Sequence, residues 1–584
     1  MRYINTFNTI QACANGATAG YTCKVYAGSY DEYVIVSNSG TQINPIRFQA
    51  SGVVKLPGFA IISKNYIVID GFEITDLNFT QHAGPGYSYG AIYLRNSIGS
   101  QIINNYVHHT NSNCMRIHES QPSSYLIVRN NRVAYCGTEP ISNGGAHGIQ
   151  VDGSYILVEG NDISHVTDYM SIAGQYNVVR KNIFHDSYEA DFPGTSNALH
   201  IDGIESSCAI NYYPNPLKYA LYENNILYNT PVGNAHFTLL QDVQNCGATN
   251  VIVRYNTVYS IGSYFIVSDT GFDNIKEYNN TIYQALRTAN LEWVVTGRWG
   301  GSTGGKIINN IYADTIRDNA KIYDSDVSST GFYASNNLAY NPACGANCSW
   351  QNPIRSEPNV VLNQNPLFVN SSGADFHLQS NSPAIDRGGP LTKVSISDSG
   401  SGTSLIVDDA GMFQAGQGGI VNEDWIAIGS ANNISKISSI NYSTNIITLV
   451  TPLSRAVGNP VYLYKNSEGT QVLYGSAPDI GAYEYTGTPV STPTPVVTPT
   501  PTPSLPDTTA PTVSITSPSN NTTISNTVTL IALAQDPTVQ GQTTSGIQTV
   551  QFKLDNINLG QPLTTAPYSG TWNTQGVSNG SHTL

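Results

Sequence analysis

A short phrase recurs along the chain: a few residues that favour β-structure, then an Asn, then a small apolar patch. Its intervals range from 21 residues (Asn161 to Asn182) to 43 residues (Asn182 to Asn225). An irregular period of this size, with strand-like text in every unit, predicts a solenoid. The Asn residues of the phrase are Asn105, Asn131, Asn161, Asn182, Asn225, Asn256, Asn280, Asn310 and Asn337.

Asn suits the sharp bend that each coil needs, because it tolerates the left-handed backbone region and bonds neighbouring backbone. Asn side chains stacked at one corner can also bond to one another along the stack. The alternative is that Asn marks unrelated loops, but so many matches in series favour a ladder.

Each unit also carries a strand with alternating apolar and polar positions, which places one set of side chains inside the coil and the other outside. The predicted strands are 91–96, 115–120, 148–153, 170–175, 198–203, 237–242, 264–269 and 291–296. The predicted inward residues are Ile92, Leu94, Met115, Ile117, Ile149, Val151, Met170, Ile172, Leu199 and Ile201.

Changes in composition divide the chain into segments. Residues 488–512 are rich in Pro and Thr, which favours an extended, semi-rigid spacer. The predicted organisation is a β-helix over 1–391, a small inserted β-domain over 392–470, a closing segment of the β-helix over 471–487, the linker over 488–512, and an incomplete immunoglobulin-like domain over 513–584.

The runs VYAGSYDEYVIV, SGTQINPIRFQA and NYIVIDGFEIT resemble the opening of proteins of the pectate-lyase-like superfamily. The resemblance covers about residues 4–390 and implies an all-β, right-handed parallel β-helix. That superfamily includes polysaccharide lyases, glycoside hydrolases, epimerases, phage tailspikes and non-catalytic surface proteins. SAPDIGAYEY resembles the closing phrase of secreted bacterial β-helices, and residues 513–584 resemble a bacterial immunoglobulin-like domain.

The chain of 584 residues has 26 Lys and Arg against 40 Asp and Glu, a formal net charge of −14. This acidic balance argues against nucleic acid or an anionic membrane as a partner. No apolar run is long enough to span a membrane. We expect a monomer whose partner is a polysaccharide.

Eight Cys fall in near pairs, which favours disulfides in an oxidising compartment and a secreted or cell-surface location. No export signal follows Met1 and the sequence pattern stops in mid-strand, so we expect a fragment of a longer protein. The expected pairs are Cys13 with Cys23, Cys114 with Cys136, Cys208 with Cys246, and Cys344 with Cys348.

The outward row of the repeated strand is the predicted place for chemistry. Rungs of a parallel stack lie roughly 4.8 Å apart, so His118 and Asp152 become neighbours and Asp152 lies roughly 9.6 Å from Asp202. One predicted column is Tyr93, Arg116, Gln150, Ser171, His200 and Thr238; the next is Arg95, His118, Asp152, Ala173 and Asp202.

Two reactions fit these columns. Asp152 and Asp202 at that separation suit the acid and base of an inverting glycoside hydrolase. Alternatively, His200 or Lys181 abstracts the proton beside a uronate carboxyl, and Arg95, Arg116 or a bound Ca²⁺ neutralises that carboxyl. The candidate catalytic residues are His200, Asp202, Asp152, His118 and Lys181; the candidate substrate-binding residues are Arg95, Arg116, Tyr93 and Gln150.

The loop 185–197 is acidic, and Glu189 and Asp191 are candidate ligands for Ca²⁺, the one candidate cofactor; the alternative is a solvated surface loop. The paired-Asp and Gly-His-Gly phrases of polygalacturonases and the Asp-Pro-His-Asp phrase of alginate epimerases are absent. The predicted function is a secreted bacterial carbohydrate-active protein, with lyase ahead of hydrolase by superfamily analogy. The alternative is a non-catalytic adhesion or glycan-binding rod.

Overall fold

The protein is described from a computed structural model, whose contacts divide the chain into two units, Met1–Val490 and Ser491–Leu584. The structure describes residues 7–76, 90–118, 123–137, 146–188, 191, 200–207, 216–231, 234–241, 247–269, 272–285, 298–299, 303–314, 324–325, 331–343, 348, 357–487, 510–518, 520–535, 547, 549–563 and 568–584.

Short strands dominate the first unit. The coiled part holds α1 (Ile10–Gly16), β1 (Thr22–Ser29), β2 (Tyr33–Ile35), β3 (Ile46–Leu56), β4 (Gly58–Ile62), β5 (Ile67–Asp70), β6 (Glu73–Asp76), β7 (Ile92–Arg95), β8 (Gln101–Ile103), β9 (Tyr106–Thr110), β10 (Met115–His118), β11 (Ser123–Ser124), β12 (Ile127–Arg129), β13 (Arg132–Cys136), β14 (His147–Ser154), β15 (Leu157–Glu159), β16 (Asp162–Ser164), β17 (Asp168–Ala173), β18 (Val178–Arg180), β19 (Ile183–His185), β20 (His200–Ser207), β21 (Lys218–Glu223), β22 (Ile226–Thr230), β23 (Asn234–Gln241), β24 (Thr249–Arg254), β25 (Thr257–Ile261), β26 (Ile266–Asp269), β27 (Lys276–Tyr278), β28 (Thr281–Tyr283), β29 (Arg298–Trp299), β30 (Lys306–Ile308), β31 (Ile311–Ala313), β32 (Asp324–Ser325), β33 (Tyr333–Ser335), β34 (Leu338–Tyr340) and β35 (Val361–Leu362).

The strands after the coil are antiparallel. They are β36 (Phe368–Asn370), β37 (Asp375–Leu378), β38 (Thr392–Lys393), β39 (Gly400–Ile406), β40 (Trp425–Ile428), β41 (Ile434–Asn441), β42 (Ile446–Arg455), β43 (Pro460–Lys465), β44 (Thr512–Ser517), β45 (Thr527–Gln535), β46 (Lys553–Leu554), β47 (Ile557–Asn558) and β48 (Tyr568–Asn573). Short 3₁₀ turns lie at Ser371–Gly373, Ala410–Met412, Gly416–Gly419 and Thr574–Gly576.

The coil is a parallel β-helix with three faces. The first sheet runs β2, β4, β7, β10, β14, β17, β20, β23, β26, β29 and β32, with β11 beside β14. The second sheet runs from β1 and β3 through β5, β8, β12, β15, β18, β21, β24, β27 and β30 to β33, and the third from β3 through β6, β9, β13, β16, β19, β22, β25, β28 and β31 to β34 and β35. Apolar side chains from all three sheets form one continuous core inside the coil.

The predicted asparagine ladder is confirmed at the corner between the second and third sheets. The backbone N–H of Asn105 and its Nδ2 both donate to Oδ1 of Asn131 at 3.0 Å, and the same pair of bonds repeats from one ladder Asn to the next as far as Asn337. The ladder side chains are buried, so these bonds satisfy polar groups that water cannot reach.

The left-handed bend lies one residue earlier than the sequence suggested. The residue that precedes each ladder Asn has the positive φ, as at Asn104 (58°), Asn130 (55°) and Asn224 (57°). The ladder Asn therefore contributes hydrogen bonds rather than the turn conformation, and the residue before it makes the turn.

Two of the expected disulfides are present. Cys13 in α1 is bonded to Cys23 in β1, and Cys114 is bonded to Cys136. Cys348 is disulfide-bonded as well, whereas Cys208, Cys246 and Cys344 lie outside the described residues. The side chain of Thr9 accepts a hydrogen bond from the N–H of Ala12 and so caps the start of α1.

Residues 392–465 form a six-stranded antiparallel sheet in the order β38, β43, β40, β41, β42, β39. This inserted sheet packs on the outside of the second sheet, where Leu157, Leu221 and Ile252 join the apolar core of the insert. The insert therefore covers the outer surface of the second sheet along its later strands, from β15 to β30.

A buried charged network crosses this contact. Arg254 donates to Glu223 at 2.7 Å and to both carboxylate oxygens of Asp424 at 2.8 Å, and the Arg254 and Asp424 side chains are 0% exposed. Ser467 of the insert also donates to Glu223. Although burial opposes its charge, the two carboxylates hold the pKa of Arg254 well above its ordinary value.

The second unit contains the antiparallel sheet β44, β45, β48 and a small core around Leu530, Phe552 and Trp572. The segment predicted to be immunoglobulin-like begins at residue 513, close to the start of β44. The linker text at 488–509 lies outside the described residues.

Candidate functional site

The first sheet carries the predicted outward columns over four successive strands, from β7 to β17. Arg116 pairs with Tyr93 on one side and Gln150 on the other, and Gln150 pairs with Ser171. In the next column Arg95 pairs with His118, and Asp152 with Ala173. The predicted register is correct from β7 to β17.

At β20 the predicted register is wrong by five residues. Ser171 pairs with Glu205 rather than with His200, and Asp202 pairs with His236 of β23. Asp202 therefore lies beside Asp168, whose Oδ1 accepts the Asp202 N–H at 3.1 Å, and not in the column of Asp152.

The reason is a bend near the start of each strand. A Cβ added to Gly148 would meet Ile163 and Val133 of the core, so this position faces inward, and Ile149 after it is also in the core. The same double inward step occurs at Tyr169 and Met170. The polar residue just before the bend therefore lies outside the core, which gives the column His147, Asp168, Asp202 and His236.

Two side chains of this column, His147 and Asp168, converge with Glu205 of the neighbouring column. Nε2 of His147 lies 3.4 Å from Oε2 of Glu205 and 3.9 Å from Oδ2 of Asp168. The side chains are 14%, 21% and 11% exposed in that order, so solvent reaches them. Burial would lower the pKa of His147, but the bond to Glu205 and the charge of Asp168 raise it above its ordinary value despite Arg116 nearby.

A hydrogen-bond network supports this cluster. Asn113 accepts the backbone N–H of His147 at 2.7 Å and donates to Oε1 of Gln150 at 3.1 Å. Asn113 thus fixes the start of β14 and ties the His147 column to the Gln150 column. The network holds the polar side chains in one arrangement before any ligand arrives.

The remaining predicted groove residues differ in exposure. Arg95 is exposed, Gln150 is 7% exposed, and Asp152 and Tyr93 are almost fully buried. The backbones of His118 and His200 lie in β10 and at the start of β20, but their side chains lie outside the described residues, as does Glu189.

The structure does not bring Lys181 to this face. Lys181 directly precedes the ladder residue Asn182, so it occupies the left-handed turn between the second and third sheets (φ 56°). Its Nζ lies 2.7 Å from Oε2 of Glu468 in the chain that follows the inserted sheet. The predicted role of Lys181 as the base of the groove is therefore corrected to an ion pair at the insert.

Asp191 also lies apart from the cluster. Its Oδ2 is 2.9 Å from Nδ1 of His165 and accepts the N–H of Tyr188 at 3.0 Å. His165 follows β16 of the third sheet, so Asp191 belongs to a different face from His147.

His147, Asp168 and Glu205 are not among the site residues that the sequence predicted. A repeated phrase marks the positions of His147 and Asp168. In it a polar residue or Tyr is followed by Gly or an aromatic residue and then, in most copies, by an apolar residue. The copies are HGI (147–149), DYM (168–170), DGI (202–204), HFT (236–238) and YFI (264–266). Glu205 follows directly after the third of these phrases. Aligning them would have placed Glu205 beside Ser171.

The cluster can exchange protons or hold a cation. An imidazole between two carboxylates is a general acid when it is protonated, and the same three side chains could hold a metal ion because their ligand atoms all lie within 4.8 Å of one another. Arg116, one rung before Gln150, adds a cation to the same face.

Comparison with known proteins gives one family match: residues 511–584 match the family model described as bacterial Ig domain. The C-terminal unit is an immunoglobulin-like domain. A comparison with curated protein sequences gives no match.

Several solved structures are similar to the chain. An alginate lyase from a Paenibacillus species is 18% identical, with 48% of this chain and 96% of that chain covered and a TM-score of 0.37. The pectate lyase Pel9A is 15% identical over 65% of this chain and 86% of that chain, with a TM-score of 0.40. PfbA, a surface adhesin of Streptococcus pneumoniae, is 12% identical over 56% and 87%, with a TM-score of 0.37.

Proposed function

We propose that the protein binds a uronate-containing polysaccharide along the outer face of the first sheet and cleaves it by β-elimination. The observation that carries the proposal is the placement of Arg116, His147, Asp168 and Glu205 on four successive strands of the first sheet, with His147, Asp168 and Glu205 partly exposed. Open faces of this length suit an extended chain, because each rung adds roughly 4.8 Å of contact.

Charge is unevenly spread along this face. Arg95 on β7 and Arg116 on β10 supply cations at its N-terminal end, whereas the carboxylates of Asp168 and Glu205 lie on later rungs. A guanidinium binds a carboxylate in a bidentate manner, so Arg116 is the proposed partner of the uronate carboxyl. Neutralising that carboxyl makes the adjacent proton more acidic, which is what elimination requires.

The base of this reaction is proposed from position. His200 is the first residue of β20 and precedes Asp202 by two residues. It therefore lies at the start of its strand, as His147 and Asp168 do. A histidine base removes the proton beside the neutralised carboxyl, the bond between the β-carbon and the leaving oxygen breaks, and water supplies the proton to that oxygen. The balance is one proton removed from carbon, one returned to oxygen, and a new carbon–carbon double bond in the product.

We also propose that the protein works outside the cytosol. Its support is the pair of disulfides Cys13–Cys23 and Cys114–Cys136, because such bonds persist in oxidising compartments. None of the helices that the structure describes is long and apolar enough to cross a membrane.

The test is a digestion screen with the full chain. Acidic and neutral polysaccharides are offered with and without added divalent cations, and both reducing ends and the ultraviolet absorbance of unsaturated products are followed. We expect absorbance to grow with a uronate polymer and to be lost in Arg116→Met and His200→Ala. His377→Ala, which changes a His of β37 paired with Asp375 at 2.7 Å, is the matched control.

Two outcomes would overturn the proposal. Reducing ends without absorbance, lost in Asp168→Asn or Glu205→Gln, would mean hydrolysis, for which two carboxylates within 5 Å suit a retaining mechanism. Binding without any product would mean a recognition rod. The rod has an observation in its favour, since Asn113, Gln150 and His147 bond to one another as a structural network would.

A further inference from the structure

The distances in the His147 cluster are unusual for a purely structural ion pair. One ring nitrogen, Nε2, faces both carboxylates, at 3.4 Å from Glu205 and 3.9 Å from Asp168. A single N–H cannot make good hydrogen bonds to two oxygens at these lengths. The three ligand atoms all lie within 4.8 Å of one another, so a single ion between them could bind all three.

A second cluster of the same residue types in this protein shows the contrast. His185 also lies between two carboxylates, but its Nδ1 is 2.8 Å from Asp186 and its Nε2 is 3.0 Å from Asp162. Each nitrogen there has its own oxygen at hydrogen-bond distance, so the imidazole is fully used. In the described part of the chain, His147, Asp168 and Glu205 form the one group of three whose ligand atoms converge.

Hydrogen bonds from neighbouring residues hold the ligand residues in place, as they usually do around a metal ion. The N–H of Asp202 binds Oδ1 of Asp168 at 3.1 Å, which leaves Oδ2 of Asp168 as the oxygen turned to His147. Asn113 binds the backbone N–H of His147 at 2.7 Å. The three side chains come from β14, β17 and β20, three successive rungs of a rigid sheet.

We propose that His147, Asp168 and Glu205 bind a divalent transition-metal ion of the Zn²⁺ or Mn²⁺ class. Imidazole is a good ligand for these ions, whereas Ca²⁺ takes six to eight oxygen ligands. Three protein ligands with partial exposure leave a coordination position open, as in catalytic rather than structural sites. That the ion meets a polysaccharide carboxylate there rests on the proposed function; that the ion binds does not.

The test measures metal binding without any substrate. Full-length protein is treated with a chelator, and Zn²⁺, Mn²⁺ and Ca²⁺ are titrated by calorimetry. The absorption of added Co²⁺ provides a second readout that reports coordination directly. We expect one transition-metal ion per chain with weak or no Ca²⁺ binding, and at least a tenfold loss of affinity in Asp168→Asn, Glu205→Gln and His147→Gln.

The matched control is His185→Gln, which removes a histidine between two carboxylates and should leave metal affinity unchanged. A protein that binds no transition metal, that prefers Ca²⁺, or whose affinity is the same in all four variants overturns the proposal. The circular dichroism of each variant is compared with that of the unchanged chain, to establish that the variant is folded. A chain that binds the ion but cleaves no polysaccharide contradicts the proposed function alone.

Discussion

The outer surfaces of the first and second sheets both carry charged side chains, but under opposite conditions. On the second sheet, Arg254 and Asp424 are completely buried beneath the insert and joined by two bonds of 2.8 Å. On the first sheet, His147, Asp168 and Glu205 stay partly exposed, and His147 lies 3.4 Å from Glu205 and 3.9 Å from Asp168. Complete pairing at short distance is typical of a structural contact, whereas looser convergence in reach of solvent leaves room for a ligand.

The largest expected effect concerns the covered surface. Replacing Arg254 by Met leaves Glu223 and Asp424 buried without their cation, and should cost about 3–5 kcal/mol of stability. The denaturant midpoint of the full chain, followed by tyrosine fluorescence, measures it. Arg116→Met on the open face is the control, with a cost below about 1 kcal/mol. Equal midpoints for the two variants would contradict the distinction between the surfaces.

The open face should respond in activity rather than in stability. Asp168→Asn and Glu205→Gln keep the shape of each side chain, and we expect polysaccharide cleavage to fall by about 10²-fold or more while the denaturant midpoint changes little. Asp375→Asn, at the start of β37, is the matched control and should retain full activity. A large loss of stability with unchanged activity would assign the cluster to the fold.

A substitution in the asparagine ladder tests whether an uncharged buried network contributes to stability, as the charged network beneath the insert does. Asn256→Ala removes the acceptor of two Asn225 bonds, at 2.9 and 3.0 Å, and leaves buried donors without a partner. We expect a cost of about 1–3 kcal/mol in the same denaturation experiment. Asn432→Ala changes an exposed Asn of the insert and should cost almost nothing.

The smallest expected effect concerns pH and the cluster around His185. Although burial opposes the charge, Asp162 and Asp186 raise the pKa of His185 to about 9, above the ordinary value of about 6.5. Its stabilising contribution is therefore complete below about pH 6.5 and is lost as the pH rises through 9. Thermal midpoints between pH 6 and 9.5 should fall less steeply in His185→Gln than in the unchanged chain; parallel curves would contradict this origin.

The sequence predicted the repeat and the core more fully than the site. The ladder from Asn105 to Asn337 could be predicted because one residue type performs one task in every coil. The strand register was correct as far as Ser171, because apolar and polar residues alternate clearly in the strands up to β17. Lys181 was placed in the groove, although its position next to Asn182 marks it as a turn residue.

The site depended on a bend that alternation does not predict. Ile201 and Ile204 are both in the core, three residues apart, because the chain steps inward near Gly203. A strict period of two therefore assigned His200 to a column that Glu205 occupies. The three side chains of the cluster also come from three separate strands. Whether they meet depends on how those strands pair, which the spacing of residues within one strand does not predict.

The asparagine ladder has a direction and two different ends. At one end the N–H of Phe72 donates to Asn105, and at the other both donors of Asn337 reach Oε1 of Glu357 at 2.8 Å. A carboxyl group can end such a series, because it accepts the last bonds without needing a further neighbour of its own. Whole coils can thus be gained or lost between Phe72 and Glu357 while both terminators stay in place. The number of coils between Phe72 and Glu357 therefore sets the length of the β-helix.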